Sequence, residues 1–242
     1  MHQGGQILAM ILRQTLKSAQ PGTKTIDLEN LANKLIKEAN VSPSFPTVKN
    51  YPFSTCITVN EEVVHGLPGN LSLKRGDLLS LDLGIIFHGL HLDHAWTILV
   101  GKKDPQKEKF LKVGQLALQN AIREALPGQR IGHLSLAIQE TLQKFGYQPV
   151  TSLTGHGIGK HLHEPPSIPC FLDSNIKPED TPHLRPGMTL AIEVIYTQGA
   201  GHVCLKGNNH WTVKTKDESL AALFEHTIAV TQKGPIILTK DS

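Results

Sequence analysis

Cysteine is scarce in this sequence. Cys56, Cys170 and Cys204 are the whole complement. An odd number at wide spacing makes neither a disulfide framework nor a CxxC zinc pattern, and points to a reducing cytoplasm. Long hydrophobic runs are missing too. The apolar stretch ILAMIL at residues 7–12 is short and follows no basic residue, so it reads as a buried helix face and not as a signal peptide. Nothing approaches the roughly 20 apolar residues of a membrane span. Charge of one sign is also lacking. With 24 basic and 21 acidic residues, the net charge of +3 is too weak to argue for a nucleic acid or a membrane as partner.

What is present suits one soluble, globular unit. A chain of 242 residues, 39% of them hydrophobic and 19% charged, can bury a sizeable core. Histidine is abundant, with 13 copies, and it clusters at His88, His91 and His94 and again at His156, His161 and His163. Such clusters raise the case for metal or acid–base chemistry.

The chain carries the trace of a repeat. PGTKTIDLENLANKLIKEA (21–39) follows a helical segment at 6–19, and PGQRIGHLSLAIQETLQKF (127–145) follows another at 106–126. Leu28, Leu31, Ala32, Leu35 and Ile36 correspond to Leu134, Ala137, Ile138, Thr141 and Leu142, one amphipathic stripe in each copy. Strands are expected near 56–60, 78–87, 90–100, 149–154, 188–197, 210–215 and 224–231. Helices followed by antiparallel hairpins predict an α+β fold, helices on one face of a curved sheet. The expected organisation is a single domain over 1–242 with pseudo-symmetric halves of about 1–104 and 105–242, joined by a charged connector at 101–109. A site between two such halves is natural.

The stretch SLDLGIIFHGLHLDHAWTILV (80–100) sets the chemical problem. It places Asp82 and Asp93 in two runs built for burial. A two-residue turn at Phe87-His88 sets the two carboxylates directly opposite each other. A turn at His88-Gly89 leaves them diagonal neighbours on the same face, and a three-residue loop separates them. Close carboxylates in apolar surroundings repel and lose their hydration, so one is protonated or a cation lies between them. Glu193 in GMTLAIEVIYT and Glu225 in LAALFEHTIAVT sit in similar apolar strands. His156 of TGHGIGKHLHEPP falls just past a strand, in a glycine-rich turn, with His163 seven residues on. Four strand carboxylates and an imidazole, with few basic residues beside them, form the donor set of an oxygen-rich site for two cations.

These residues lie within motifs that resemble a known family. STCITVNEEVVHGLP (54–68), RGDLLSLDLG (75–84), GHGIG with LHEPP (155–166), RPGMTLAIE (185–193) and WTVKTKDESLAALFEHTIAVT (211–231) resemble, in order, the type I methionine aminopeptidases of the pita-bread metallopeptidase fold. The resemblance implies that Asp82, Asp93, His156, Glu193 and Glu225 hold two divalent cations (Mn, Fe, Co or Zn), with Asp93 and Glu225 bridging them. It implies that His65 and His163 contact the substrate backbone and the tetrahedral intermediate, and that Glu193 also carries a proton. A hydroxide between the metals would attack the first peptide carbonyl, and the free α-amine would bind a metal, restricting cleavage to N-termini. Tyr51, Cys56, Leu162 and Trp211, with Phe45, would line an apolar pocket for methionine, and a small second residue would be required.

The implied substrates are nascent polypeptide N-termini, met at the ribosome in the cytoplasm, by a monomer that uses neither nucleic acid nor membrane. No zinc-knuckle extension is expected ahead of the first helix.

This sequence departs from the family's pattern at three positions. Val48 replaces a common aromatic, Leu162 a common phenylalanine, and His94 a small residue; His94 is expected on the hairpin surface. His161 and Lys160 are expected in a solvated loop, and residues 167–184 as a longer surface loop. A proline-specific amino- or dipeptidase of the same fold would share LDLG and GHGIG, but VVHGLP, WTVKTKD and FEHT point to methionine removal. A non-catalytic binding module on this fold would lack metal ligands, and all five are present.

Overall fold

The computed structural model describes residues 1–101, 103–207 and 209–240. Lys102, within the charged connector, lies outside the described residues. The chain opens with two helices in contact, α1 (His2–Lys17) and α2 (Thr25–Glu38). It continues through the short β1 (Ser42–Pro43), β2 (Thr55–Val59), β3 (Glu62–Val64) and the long hairpin β4 (Leu78–Phe87) and β5 (Leu90–Leu99). A second helix pair follows, α3 (Pro105–Glu124) and α4 (Ile131–Lys144). Then come β6 (Gln148–Pro149), β7 (Thr154–Gly157), β8 (Glu164–Pro169), β9 (Thr189–Thr197), β10 (Val203–Leu205), β11 (Val213–Thr215), β12 (Ala221–Thr231) and β13 (Gly234–Ile237).

The expected helices and long strands are all found, with one misplaced segment. In place of a strand over 149–154, β6 ends at Pro149, the chain turns through exposed Thr151 and Ser152, and β7 starts at Thr154. His156 therefore sits inside a strand. Its glycine neighbours make this possible. A Cβ on Gly155 would lie 2.5 Å from the Ala191 carbonyl oxygen, so only glycine lets β7 press this closely on β9. The 167–184 loop is also shorter than expected. Ser167–Pro169 completes β8, and Ile168 and Cys170 are buried.

Two antiparallel sheets carry the long strands. In the first, β4 pairs with β5 on one edge and with β2 and β1 on the other. In the second, β9 pairs with β12 on one edge and with β7 and β6 on the other. Alternation along the strands sorts the side chains. Leu79, Leu81, Leu83 and Ile85 of β4 pack against Leu8, Ile11 and Leu12 of α1. Leu190, Ile192, Val194 and Tyr196 of β9 share a core with Phe110, Ala117 and Ala121 of α3. Asp82 and Glu193 occupy the opposite faces of those same strands.

The same backbone pattern recurs in the two halves. Gly22 N–H donates to the Leu73 carbonyl at 2.7 Å, and Gly128 N–H to that of Leu184 at 3.0 Å. Thr25 N–H bonds the Leu71 carbonyl and Ile131 N–H that of Pro182. The seam between the sheets, β5 against β12, is reciprocal. Thr97 Oγ1 donates to the Leu223 carbonyl and accepts from Leu223 N–H (2.7 and 3.0 Å). Thr227 Oγ1 does the same for Asp93, at 2.7 and 2.9 Å. Two threonine hydroxyls replace ladder bonds that the strand backbones are not placed to make, and one of them fixes the backbone of Asp93.

Candidate metal centre and substrate pocket

The hairpin turn decides the geometry of the first two carboxylates. Phe87 faces Leu90, so the turn is His88-Gly89, both with positive φ (51° and 76°). Asp82 then lies opposite Ala95, and Asp93 opposite Gly84, which makes the aspartates diagonal neighbours on one face. Across the second sheet, Glu193 faces Glu225 directly. His156 on β7 is paired with Ala191, two residues before Glu193. The register of three strand pairs thus brings five donors from Asp82, Asp93, His156, Glu193 and Glu225 to one cavity.

Within that cavity, ligand atoms of Asp93, His156 and Glu225 all lie within 4.8 Å of one another. His156 Nδ1 shares a hydrogen bond with the Gly157 carbonyl at 2.8 Å, which leaves Nε2, 3.6 Å from Glu193 Oε1, as the free lone pair. Burial pushes His156 down to about 4, so its imidazole is neutral and able to ligate.

Asp93 and Glu225 are buried, Asp82 and Glu193 are partly open to the cavity, and no cationic side chain among the described residues pairs with them. Burial, reinforced by the neighbouring carboxylates, raises Asp82, Glu193 and Glu225 well above the usual range. Burial raises Asp93 to about 7, against the lowering effect of hydrogen bonds from Asp82 and the His94 backbone. Asp82 Oδ1 and Glu225 Oε1 are buried without a hydrogen-bond partner. Among the described residues no lysine or arginine pairs with any of the four. Orphaned anionic oxygens around a neutral imidazole are a donor set that a divalent cation satisfies.

Beside the carboxylates lies an apolar pocket, and the cavity they share measures about 150 Å³. Phe45, Val48, Tyr51, Cys56, Leu162 and Trp211 line it. Tyr51 anchors the wall. Its hydroxyl donates to the Thr55 carbonyl at 2.8 Å and its ring meets Trp211 edge-on at 4.9 Å. Cys56 stands opposite Asp82 in the β2–β4 register, where burial and the Asp82 charge push its thiol up and keep it protonated. His65 and His163 border the pocket. His65 holds a left-handed backbone (φ 56°), unusual away from glycine and common at functional positions, and its ring approaches Trp211 at 6.3 Å. The His163 ring meets His156 edge-on at 4.5 Å. Both side chains are exposed at the mouth, and partial desolvation against the cavity wall, with the neighbouring His163 for His65, lowers their pKa.

Two comparisons with known proteins decide the family. The model of metallopeptidase family M24 matches residues 1–232. The methionine aminopeptidase of Aquifex aeolicus is 41% identical over 249 aligned positions, covering 99% of this chain and 95% of that protein. This chain belongs to the methionine aminopeptidases of metallopeptidase family M24. The crystal structure of the Thermotoga maritima methionine aminopeptidase agrees, at 40% identity and a TM-score of 0.95, covering 100% of this chain and 95% of that one. The prolidase from Pyrococcus horikoshii superposes with a TM-score of 0.77 at 22% identity. It is matched over 61% of its own length, which shows the shared pita-bread fold alone. The family is metal-dependent, in keeping with the orphaned carboxylate oxygens.

Several further residues support the site. His94 is a correction, because it is buried and not on the hairpin surface. One residue past Asp93, its ring points to the opposite face of β5, where Nδ1 meets the Glu225 carbonyl at 2.6 Å and the ring stacks on His226. Cys170 lies beneath Glu193, its thiol donating to the Glu193 carbonyl at 3.3 Å and accepting from Ile195 N–H at 3.4 Å. Glu29 on α2 turns inward and accepts from Ser54 N–H, Thr55 N–H and Thr55 Oγ1, which fixes the start of β2 beside the pocket. Val64 also lines the cavity. His161 and Lys160 are exposed, as expected.

Proposed function

We propose that this chain removes the N-terminal methionine of proteins and peptides whose second residue is small, using two divalent cations held by Asp82, Asp93, His156, Glu193 and Glu225. The convergence of those five donors with His65, His163 and the Tyr51–Trp211 wall on one cavity carries the reading. Bound cations supply Lewis acidity, polarising a carbonyl and making water nucleophilic near neutral pH.

The chain's own residues supply the rest. Glu193, in a buried site that favours its protonated form, receives the proton of the attacking water and delivers it to the leaving nitrogen. His163, neutral at the pocket mouth, donates a hydrogen bond to the developing oxyanion. His65 holds the substrate backbone. Phe45, Tyr51, Cys56, Leu162 and Trp211 enclose an unbranched thioether, and the protonated thiol of Cys56 adds no charge to the pocket.

The metal is Mn²⁺, Fe²⁺, Co²⁺ or Zn²⁺, since carboxylate and imidazole donors serve all four. The partners are nascent N-termini at the ribosome, and the enzyme works in the cytoplasm as a monomer. Among the described residues no helix is long and apolar enough to cross a membrane. The chain forms one catalytic domain of two pseudo-symmetric halves. The matched glycine and threonine hydrogen bonds support that view.

Peptides beginning Met-Ala, Met-Lys and Ala-Pro, offered with Mn²⁺ or Co²⁺ and again after chelation, test the activity. Methionine release from Met-Ala is expected, at least ~100-fold faster than from Met-Lys and abolished by chelation. Cleavage of Ala-Pro alone would move the chain to proline-specific chemistry. For His163→Ala, kcat for Met-Ala is expected to fall roughly 100-fold with little change in bound metal, as loss of one oxyanion donor predicts. Steady-state kinetics beside elemental analysis checks this, and a parallel loss of metal would make His163 a ligand instead.

A further inference from the structure

His91 is buried, takes no part in the chemistry above, and is not among the described residues that line the pocket. Strand alternation turns it to the same face of β5 as Asp93, two residues on. There it meets two other segments at once. Its backbone N–H donates to the Gly159 carbonyl at 2.7 Å. Its Nδ1 shares a hydrogen bond with Ser44 Oγ at 2.5 Å, and Ser44 is fully buried.

Both segments build the pocket. Ser44 precedes the short helical turn Phe45–Thr47, and the chain from there supplies Phe45, Val48 and Tyr51 to one wall. That turn is anchored at Ser44, whose N–H donates to the Gly84 carbonyl at 2.9 Å and whose carbonyl accepts from Thr47 Oγ1 at 2.7 Å. Residues 158–164 bring Leu162 and His163 to another wall. This loop is braced from within. Gly159 N–H donates to the His161 carbonyl at 3.1 Å, and His161 N–H to Glu164 Oε1 at 2.8 Å. We propose that His91 is a positioning residue for methionine selection: its ring, through Ser44, holds the Phe45–Tyr51 wall at a fixed spacing from the Leu162 wall. The proposal rests on reading this pocket as the methionine site. Breaking a buried hydrogen bond leaves a polar atom unpaired, so the Ser44–His91 bond resists any shift of one wall against the other. An apolar pocket discriminates by fit alone, and a loosened wall weakens its hold on the thioether. His163 keeps its place, because the backbone N–H of residue 91 still holds Gly159 whatever the side chain. Asp93 keeps its place on Thr227.

The test compares Ser44→Ala, His91→Leu, the two combined, and His91→Asn, whose carboxamide sets a polar atom near the place of Nδ1. Each full, metal-loaded chain is assayed for metal content, for free methionine by calorimetry, and for Met-Ala kinetics. Ser44→Ala and His91→Leu should each weaken methionine and raise KM by ~10-fold. Metal content should stay unchanged and kcat should move less than ~3-fold, the mark of lost side-chain binding. The combined variant should be within ~2-fold of the worse single one, because both remove the same bond. His91→Asn should stay within ~3-fold of the parent. Additive single effects, a fall in kcat at constant KM, loss of metal, or an asparagine as damaging as leucine would overturn the proposal. A parent that binds methionine and responds in this way, yet cleaves no Met-Ala, would overturn the activity and leave the role of His91 standing. A parent that cleaves Met-Ala, with variants that follow none of this, would overturn the role of His91 alone.

Discussion

Stripped of metal by a chelator, the protein is expected to lose stability steadily as pH rises above neutrality. An unfolded aspartate titrates near 4. In the metal-free fold, burial holds Asp93 up at about 7 and raises Asp82, Glu193 and Glu225 in the same direction. The folded chain therefore keeps protons that the unfolded chain has released. The stability these groups contribute is complete below their unfolded pKa and is lost as pH climbs through their folded values. Buried His156 and His94, both lowered to about 4, act oppositely between about 4 and 6.5, where the unfolded chain binds the extra proton. The clean window is thus above about pH 6.5.

There, each carboxyl still protonated in the fold costs about 1.4 kcal/mol per pH unit. A chain of this size loses roughly 2–4 °C of Tm per kcal/mol. For one retained proton, about 2 kcal/mol over this window, the chelated protein should melt roughly 4–8 °C lower at about pH 8 than at about pH 6.5, and lower still for each further proton the cluster keeps. Added Mn²⁺ should remove or invert the slope, because cation binding favours the ionised carboxylates. Thermal melts across pH with and without chelator measure it. A flat profile for the chelated protein would mean that the carboxylates are not stored as a repelling, buried set.

The carboxylates stood out in the sequence because they break a pattern. A charged residue inside a strand of leucine, isoleucine and valine carries a large desolvation cost, and four of them need a shared reason. That argument needed only periodicity and spacing, and the structure places all four together. The hairpin register was open between turns, since Phe87-His88 and His88-Gly89 are both short; pairing of Phe87 with Leu90 selected the latter.

Less legible were residues whose role depends on where the second face of a strand points. His94 reads as hairpin surface because it neighbours a ligand in a polar run. Its burial arises only because α1 and β12 close over that side of β5, a contact between segments about 130 residues apart. Glu29 lies at a polar position between helix stripes and gives no local hint that it caps β2. The segment 149–154 reads as a strand from its apolar ends. The close approach of Gly155 to β9 moves the real strand onto His156, and that is visible only once β9 is in place.

Asp93→Asn should separate a metal ligand from a structural acid in one variant. The amide is nearly the same shape. The backbone of Asp93 is held by Thr227 on both its N–H and its carbonyl, independently of the side chain. The carboxylate oxygen that accepts from His94 N–H at 3.0 Å has a counterpart in the amide oxygen. The amide nitrogen can donate toward Asp82, whose buried Oδ1 lacks a partner. The fold should therefore survive. What disappears is one negative charge from a cluster of four, together with an oxygen that would help hold the cations.

Metal affinity should fall by at least ~100-fold, more than the loss typical of a residue that merely orients a ligand. Methionine release should drop by ~1000-fold or more if Asp93 holds the cations as proposed. The metal-free variant should also melt higher than the metal-free parent at about pH 8, because one buried charge no longer has to be protonated or repelled. Calorimetric metal titration, peptide kinetics and thermal melts supply the three readings. Loss of activity together with loss of metal-free stability would mark Asp93 as a structural acid. Loss of activity and metal together with a gain in metal-free stability follows only if the carboxylate is kept for the cation, against the preference of the fold.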